Sequence, residues 1–491
     1  MQAYRFDTEF SFFSDADKQF KQLISALMSD EYKHCEHGDI EELIRRDGCE
    51  VMRLLLQGYL DKNAADEDIK QDIQSADGVR LNHIRHNTTR TITTLFGNVH
   101  ETRKGYSQRQ QKSVFPMDKT LNLADDQYSD GLRFRVAQEA IKGSFDQASE
   151  TITQTTGGHV PKRQCLNVVE DVAQDFETFY EHKAFDKAEE TDNLLVLTLD
   201  GKGIVMRPDS LRECTKKAAK KEQKLNSRLS QGEKRNRKRM AQVAAVYSVK
   251  PHIRTASDIM GQKTKDEQVV SFTPPAVNKR VWASVERDSE AVIEEAFQEA
   301  LRRDPQQRRQ WVVLVDGQPQ QLNSIKKVMK RLKVRATIVM DFIHVLEYLW
   351  QAAWCFFEKG DPDVEAWISE RAIRILKGEC SQVAKGLRIS ATKQGLAKRD
   401  GVDKCAKYLI KNKTRLKYDV ALTEGFPIAS GVIEGACRHL INDRLDITGA
   451  RWSLSGAESI LKLRSLNSSG DLQAYYLYHK QQSRLRLYGE A

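Results

Sequence analysis

The stretch Leu194-Leu-Val-Leu-Thr-Leu-Asp-Gly-Lys-Gly-Ile-Val205 decides the fold class. Its first six residues carry no charge and do not alternate. A strand of that kind is buried on both faces and suits a sheet covered by helices. Asp200-Gly-Lys-Gly then reads as a turn, with a short second strand through Val205. Working outward, Ala241-Gln-Val-Ala-Ala-Val-Tyr-Ser-Val249 reads as a third strand, Trp311-Val-Val-Leu-Val315 as a fourth and Ala336-Thr-Ile-Val-Met340 as a fifth. Val281 to Arg303 reads as a charged amphipathic helix and Leu322 to Leu332 as a short one. Residues 342 to about 425 read as helical throughout, and Ser430 opens a helix running to about Leu445.

Three strands with hairpin-like joins, then helix, strand, helix, strand, helix, is the order of the RNase H-like α/β fold, here with a long all-helical insertion before its last core helix. Ahead of it, residues 1–90 read as helices, with Leu43, Ile44, Val51, Leu54, Leu55 and Tyr59 at helical spacing. Residues 91–118 are strand-like and punctuated by glycine. Residues 131–182 read as three helices. The middle one opens on a capping box, Ser144 with Gln147, and ends at Gly157-Gly158. The next begins near Val160-Pro161, with proline in its first turn. Lys162, Arg163 and Gln164 then stand at its exposed N-terminal end, the end that meets the major groove in a helix-turn-helix unit. Short helix pairs that bind no DNA are common, so this signal is weak alone. The expected division is 1–90 helical, 91–185 strand-like plus helix-turn-helix, 186–345 core with a basic insert at 209–239, 346–426 helical insertion, 427–470 last part of the core, and 471–491 tail.

Composition narrows the class. The chain has 491 residues, 40% hydrophobic and 30% charged, enough for a large core and too apolar for a mostly disordered chain. Its longest near-apolar run, Val345 to Phe357, is too short for a spanning helix, so no membrane is expected. Met1-Gln-Ala-Tyr-Arg-Phe-Asp7 has no apolar signal core, so export is not expected. Eight scattered cysteines without a Cys-x-x-Cys pair read as free thiols in a reducing cytoplasm. His34-Cys35-Glu36-His37 fits no common zinc spacing and reads as ordinary surface.

The net charge is +9, and nearly all of it sits in one place: in Asp209–Arg239 twelve basic residues stand against four acidic ones. Like charges so concentrated repel unless a polyanion is present, so nucleic acid is the expected partner; a solvated helix or loop is the plainer alternative. Lys216, Lys217, Lys220, Lys221, Arg235, Arg237, Lys238 and Arg239 are the expected backbone contacts.

Three carboxylates, Asp200, Asp316 and Asp341, each end an apolar strand in this reading. If the strands are parallel, their C-terminal ends share the sheet edge where open α/β sheets place active sites. Gathered carboxylates call for Mg2+ or Mn2+, and two such ions serve phosphodiester chemistry. The plainer alternative is a turn after each strand. Glu434 would be a fourth acid near a helix start, or the partner of Arg438 in an i,i+4 pair. His344 shares a helix face with Asp341 and Glu347, either as a metal ligand by spacing or as a structural histidine beside Trp350 and Trp354.

The blocks Leu199-Asp-Gly-Lys-Gly-Ile-Val-Met-Arg207, Lys238-Arg-Met-Ala-Gln-Val-Ala-Ala-Val-Tyr247, Val315-Asp-Gly-Gln318, Met340-Asp-Phe-Ile-His-Val-Leu-Glu-Tyr-Leu-Trp350 and Gly431-Val-Ile-Glu-Gly-Ala-Cys-Arg-His-Leu440 together resemble bacterial insertion-sequence transposases of the ISKra type, related to Mutator-type DDE transposases. Thr448-Gly-Ala-Arg-Trp452 and Leu463-Arg-Ser-Leu466 add to the resemblance, which spans about residues 40–480. It implies a catalytic triad of Asp200, Asp316 and Glu434 on two divalent ions, with Asp341 and His344 as the (Cys or Asp)-x-x-His signature. Asp341 is the rival for the second Asp. Arg438, Arg451 and Trp452 join the expected DNA contacts; Trp452 would stack on a flipped base or be a core residue. Many relatives carry a Cys-x-x-Cys finger ahead of the helix-turn-helix. Here Gly105–Val114 has no cysteine, so no structural zinc is expected.

The resulting expectation is a DNA transposase acting beside the bacterial nucleoid. It binds double-stranded DNA at transposon ends and target, as a homodimer or larger assembly. A structure-specific nuclease of the same fold and a DNA-binding regulator without catalysis are the rival readings.

Overall fold

The structure, a computed structural model of the chain, describes residues 10–75, 77–183, 191–221, 236–261, 273–447 and 449–489. The chain divides into two units, Met1–His182 with Leu472–Ala491, and Lys183–Asp471. No helix among the described residues is long and apolar enough to cross a membrane.

In the first unit, helices Ser14–Leu27 and His37–Asp66 precede an antiparallel hairpin, β1 (His83–Thr94) and β2 (Gly97–Ser107). Sequence reading started strand structure only at residue 91. The run His83-Ile-Arg-His-Asn-Thr-Thr-Arg90 lacks apolar alternation, and pairing with β2 carries it instead. Ile92 and Val99 of the hairpin pack on Leu60 of the long helix. After a short helix, Pro116–Leu121, the stretch read as three helices holds four: Asp130–Ala140, Phe145–Thr155, Lys162–Val172 and Phe176–His182. The capping box at Ser144 and Gln147 is formed as read. Pro161 is the N-cap, one residue ahead of the helix it was expected to begin. The expected C-terminal tail is a helix, Leu472–Tyr488, and it completes this unit. Its Tyr475 is fully buried with its hydroxyl on the Val172 carbonyl, and His479 Nδ1 lies 2.7 Å from Asp175 Oδ2. Aromatic side chains spread over that helix give no clean apolar stripe, which hid it in the sequence.

The second unit is built on a five-stranded sheet of β3 (Leu194–Val205), β4 (Lys238–Val249), β5 (Val277–Ser284), β6 (Trp311–Val315) and β7 (Thr337–Met340), in the order β5-β4-β3-β6-β7. β4 is antiparallel to both its neighbours; β6 and β7 run parallel to β3. Helix Ser289–Arg303 packs on β3 and β4, and helix Leu454–Ser469 on β5. The fold is therefore mixed α/β, with the buried run of β3 at the centre of the sheet.

Two expectations need correction here. Asp200-Gly-Lys-Gly203 is not a turn: β3 continues through it, with Asp200 opposite Val243 and Gly203 opposite Met240. Gly201 and Gly203 keep extended backbone because β4 pairs with them along their whole length. The third antiparallel strand is β5, whose Val281–Ser284 were read as helix. The apolar periodicity of Val292, Ile293, Ala296 and Phe297 extends backward only to Asp288. That residue caps the helix by accepting from the Ala291 N–H; before it come a bend, Val285–Arg287, and then β5.

Between β7 and residue 424 the chain is helical, as expected: Phe342–Ala353, Asp363–Leu376, Cys380–Lys393, Asp400–Asn412 and Tyr418–Thr423. The first and fourth of these approach so closely at Gly401 that a Cβ there would sit 2.1 Å from the Gln351 carbonyl oxygen. Helix Gly431–Cys437 then returns to the sheet, against β3 and β4, and runs on into a π-helical turn, Arg438–Asn442.

Candidate active site

The parallel ladders bring three aspartates to one edge. Thr198 is level with Leu314, so Asp200 and Asp316, each two residues on, lie at the same height on neighbouring strands. Val315 is level with Met340, so Asp316 and Asp341 are neighbours in turn, and the Asp341 N–H donates to the Val315 carbonyl at 2.8 Å. Adjacent strands stand about 4.8 Å apart. Asp316 and Asp341 follow the last residues of β6 and β7, as expected. Asp200 lies within β3, just past the end of its ladder with β6.

Each carboxylate has a different environment. Asp341 is 1% exposed. It caps helix Phe342–Ala353 by accepting from the Ile343 N–H at 2.7 Å, and its other oxygen accepts both the N–H and the hydroxyl of Ser430. Asp316 accepts from the Gln318 N–H at 3.1 Å, and its other carboxylate oxygen has no hydrogen-bond partner among the described residues. Gly317 beside it has φ +93°, and a Cβ there would meet Met340 Cε at 2.1 Å, so only glycine makes this turn. Asp200 accepts from the Gly201 N–H at 2.6 Å, and from the Cys437 thiol at 3.2 Å. Burial pushes the Cys437 thiol well up, and the Asp200 charge and hydrogen bond push it further, so it stays protonated and donates.

These contacts fix helix Gly431–Cys437 at both ends. Ser430, the residue before it, is held by Asp341; Cys437, its last residue, is held by Asp200. Glu434 lies between them, exposed, and close enough to Cys437 to act on its thiol. The i,i+4 pair of Glu434 with Arg438 is not formed: Arg438 Nε faces Asp443 Oδ1 at 3.9 Å. Ser430 was read only as a helix start. Its side chain makes no cap bond and goes to Asp341 instead. The helical insertion also reaches the edge, through the Tyr408 hydroxyl on the Asp316 carbonyl at 3.4 Å, its ring stacked on Tyr348 with centroids 4.1 Å apart.

The remaining expected residues are spread. His344 Nδ1 sits 3.0 Å from Glu347 Oε2. Among the described residues, no three His, Cys, Asp or Glu side chains stand together to hold a metal ion. The donors at the edge are all carboxylate oxygen, which suits Mg2+ or Mn2+ rather than zinc. Asp200 and Asp341 both have each oxygen engaged; Asp341, accepting three hydrogen bonds at 1% exposure, is the least suited of the four acids.

Among the basic residues, Lys217, Lys220 and Lys221 are exposed on helix Glu213–Lys221, with Lys216 paired to Glu213 at 2.9 Å. Arg235 lies outside the described residues. Arg237 is half-buried, and its carbonyl accepts the Met206 N–H. Lys238 and Arg239 belong to β4, not to an insert. Lys238 pairs with Asp446 at 3.2 Å, and Arg239 donates to the carbonyls of Val285, Ser210 and Glu286. The Arg239 guanidinium thus stitches backbone together and is not presented for a phosphate. Trp452 is a core residue: 7% exposed, its Nε1 on the Leu445 carbonyl at 3.1 Å and Arg444 over its ring. Arg451 and Arg438 are exposed. In the first unit, Lys162, Arg163 and Gln164 are exposed at their helix start, with Lys162 paired to Asp146.

A model of an uncharacterised protein family (UPF0236) matches residues 37–235, a span that includes Asp200 but not Asp316, Asp341 or Glu434. No curated protein matches the chain.

Proposed function

We propose that this chain is a DNA transposase of the DDE type, built on an RNase H-like core. One observation carries the reading: Glu434 sits on a short helix tied by Ser430 to Asp341 and by Cys437 to Asp200, at the sheet edge that Asp200 shares with Asp316. Strand order β5-β4-β3-β6-β7, with β4 running opposite to the other four, is the order an RNase H-like sheet has.

In this reading Asp200, Asp316 and Glu434 are the catalytic acids and would hold two Mg2+ or Mn2+ ions. Bound there, such ions supply activation of the attacking oxygen and stabilisation of the leaving one. Asp341 positions Glu434 through Ser430, and the Cys437 thiol orients the Asp200 carboxylate. Lys217, Lys220 and Lys221 hold DNA backbone without reading sequence, and Lys162, Arg163 and Gln164 enter a groove at the element's end. Hydrolysis at the element's end leaves a 3′-hydroxyl; that hydroxyl forms a new bond to a target phosphate as the target strand's own 3′-oxygen leaves, so no nucleophilic Ser or Tyr is needed. Two ends must be held together, which calls for a homodimer or larger assembly on DNA.

The test is incubation of the purified protein with Mg2+ and DNA carrying the element's own ends. Joined 3′-ends support the proposal; cleavage without joining favours a nuclease, and binding with neither favours a regulator. Asp200→Asn, Asp316→Asn and Glu434→Gln should each lower joining by roughly 10^4-fold, the scale for loss of one member of a catalytic set. Filter binding of the same DNA should be retained.

A further inference from the structure

The helix His37–Asp66 has three sides, and two are covered. One lies on the β1–β2 hairpin, where Cys49, Arg53 and Gln57 bond to the carbonyls of Phe96, Asn98 and His100. Another meets the turn before the first helix so closely that a Cβ on Gly58 would sit 2.4 Å from the Phe12 carbonyl oxygen. The third side is bare and apolar. Ile44, Met52, Leu55 and Tyr59 are 46%, 44%, 45% and 49% exposed. With Gly48 they fall, at about 100° per residue, within roughly 80° of arc. The 4-4-3-4 spacing stays close to the 3.6-residue turn of a straight helix, so the stripe keeps to one face, and no charged residue interrupts it.

Charges stand only at its ends. Continuing the same stripe places His37 and Glu41 beyond Ile44, and Lys62 and Asp66 beyond Tyr59. Laid antiparallel on a second copy of itself, the stripe matches in one register. Glu41 meets Lys62 and His37 meets Asp66, Ile44 meets Tyr59, Gly48 makes room for Leu55, and the two-fold axis falls between Val51 and Met52. A surface that complements itself under a two-fold axis is what an isologous dimer requires. We propose that this stripe is a self-association surface, through which two copies of the chain pair their His37–Asp66 helices antiparallel. Pairing needs no DNA and does not depend on the transposase reading. Phe20, Ile24 and Leu27 of the preceding helix, 51%, 40% and 37% exposed, add apolar area to the same unit.

Sedimentation equilibrium of the full chain without DNA tests this. Wild type should be dimeric at micromolar concentration, and Leu55→Glu should weaken dimerisation at least tenfold. Glu41→Lys should weaken it roughly threefold by setting Lys against Lys62 twice per dimer. The double variant Glu41→Lys, Lys62→Glu should restore it. The charge variants lie on the surface, so they report even where Leu55→Glu misfolds, which far-ultraviolet circular dichroism will show. A monomeric wild type, a Leu55→Glu dimer of undiminished strength in a folded protein, or no recovery in the double variant overturns the proposal.

Discussion

The carboxylate of Asp341 shows how an acid at a sheet edge differs from its neighbours by what it is bonded to. Buried at 1% exposure, it spends its oxygens on Ile343 and Ser430. Ser430→Ala removes the hydroxyl donor and leaves a buried carboxylate short of one bond, at a cost of ~1–3 kcal/mol. A urea titration should show that loss. If Ser430 serves only stability, activity per folded molecule will be unchanged; if it positions Glu434, joining will fall further than folding accounts for. Gly317→Ala is the harsher change, since both φ +93° and the Met340 methyl oppose a Cβ. It should destabilise by ~1–3 kcal/mol. The positions of Asp200, Asp316 and Asp341 were legible because each follows a recognisable apolar run. The partners Ser430 and Cys437 were not, because no local periodicity links a helix to strands more than eighty residues away in sequence.

At the scale of elements, helix Ser289–Arg303 is fastened to β5 through Glu299. Its side chain is 2% exposed, and Arg280 and Arg303 each approach it at 2.7 Å, with Arg302 alongside. Burial alone would push this carboxyl up, but the three guanidiniums outweigh it and hold it at about 2, below its ordinary 4.5. A folded-state value below the unfolded one contributes stability above pH ~4.5, and that contribution is lost as pH falls toward 2. The shift corresponds to roughly 3 kcal/mol. Thermal melts between pH 5 and 3 should therefore show a falling midpoint. Glu299→Gln should be less stable by a similar amount at pH 7, because it removes the carboxylate shared by Arg280, Arg302 and Arg303 and leaves Glu295, at 2.8 Å, as the carboxylate facing buried Arg280, and its melting point should respond less to acid. In sequence, only Val281–Ser284 of β5 were absorbed into the helix, because they run on without a glycine or proline into the charged amphipathic stretch that ends at Arg303. Helices with clean apolar stripes and caps, such as Phe145–Thr155, were legible to the residue at their capped start and to within two residues at their end; strands whose pairing partner supplies their stability were not.

At the scale of the whole molecule, the chain order and the unit order disagree. Leu472–Tyr488 closes the unit that begins the chain, with Tyr475 and Tyr476 hydroxyls on the carbonyls of Val172 and Asp130. Ending the chain at Asp471 should expose that seat. In limited proteolysis, residues 10–182 should become the susceptible part while 191–471 resists; equal resistance of both parts would show that the last helix contributes nothing. A sequence reading by local pattern could not assign a terminal helix to a partner some three hundred residues upstream.

That arrangement has a bearing on synthesis. While a ribosome is still translating, the earlier-made portion lacks the seventeen-residue helix whose Tyr475 and Tyr476 seat on it, until that helix clears the exit tunnel. A frameshift or premature stop anywhere in the later two-thirds of the reading frame would therefore disable the opening portion too, even though every codon for it was read correctly.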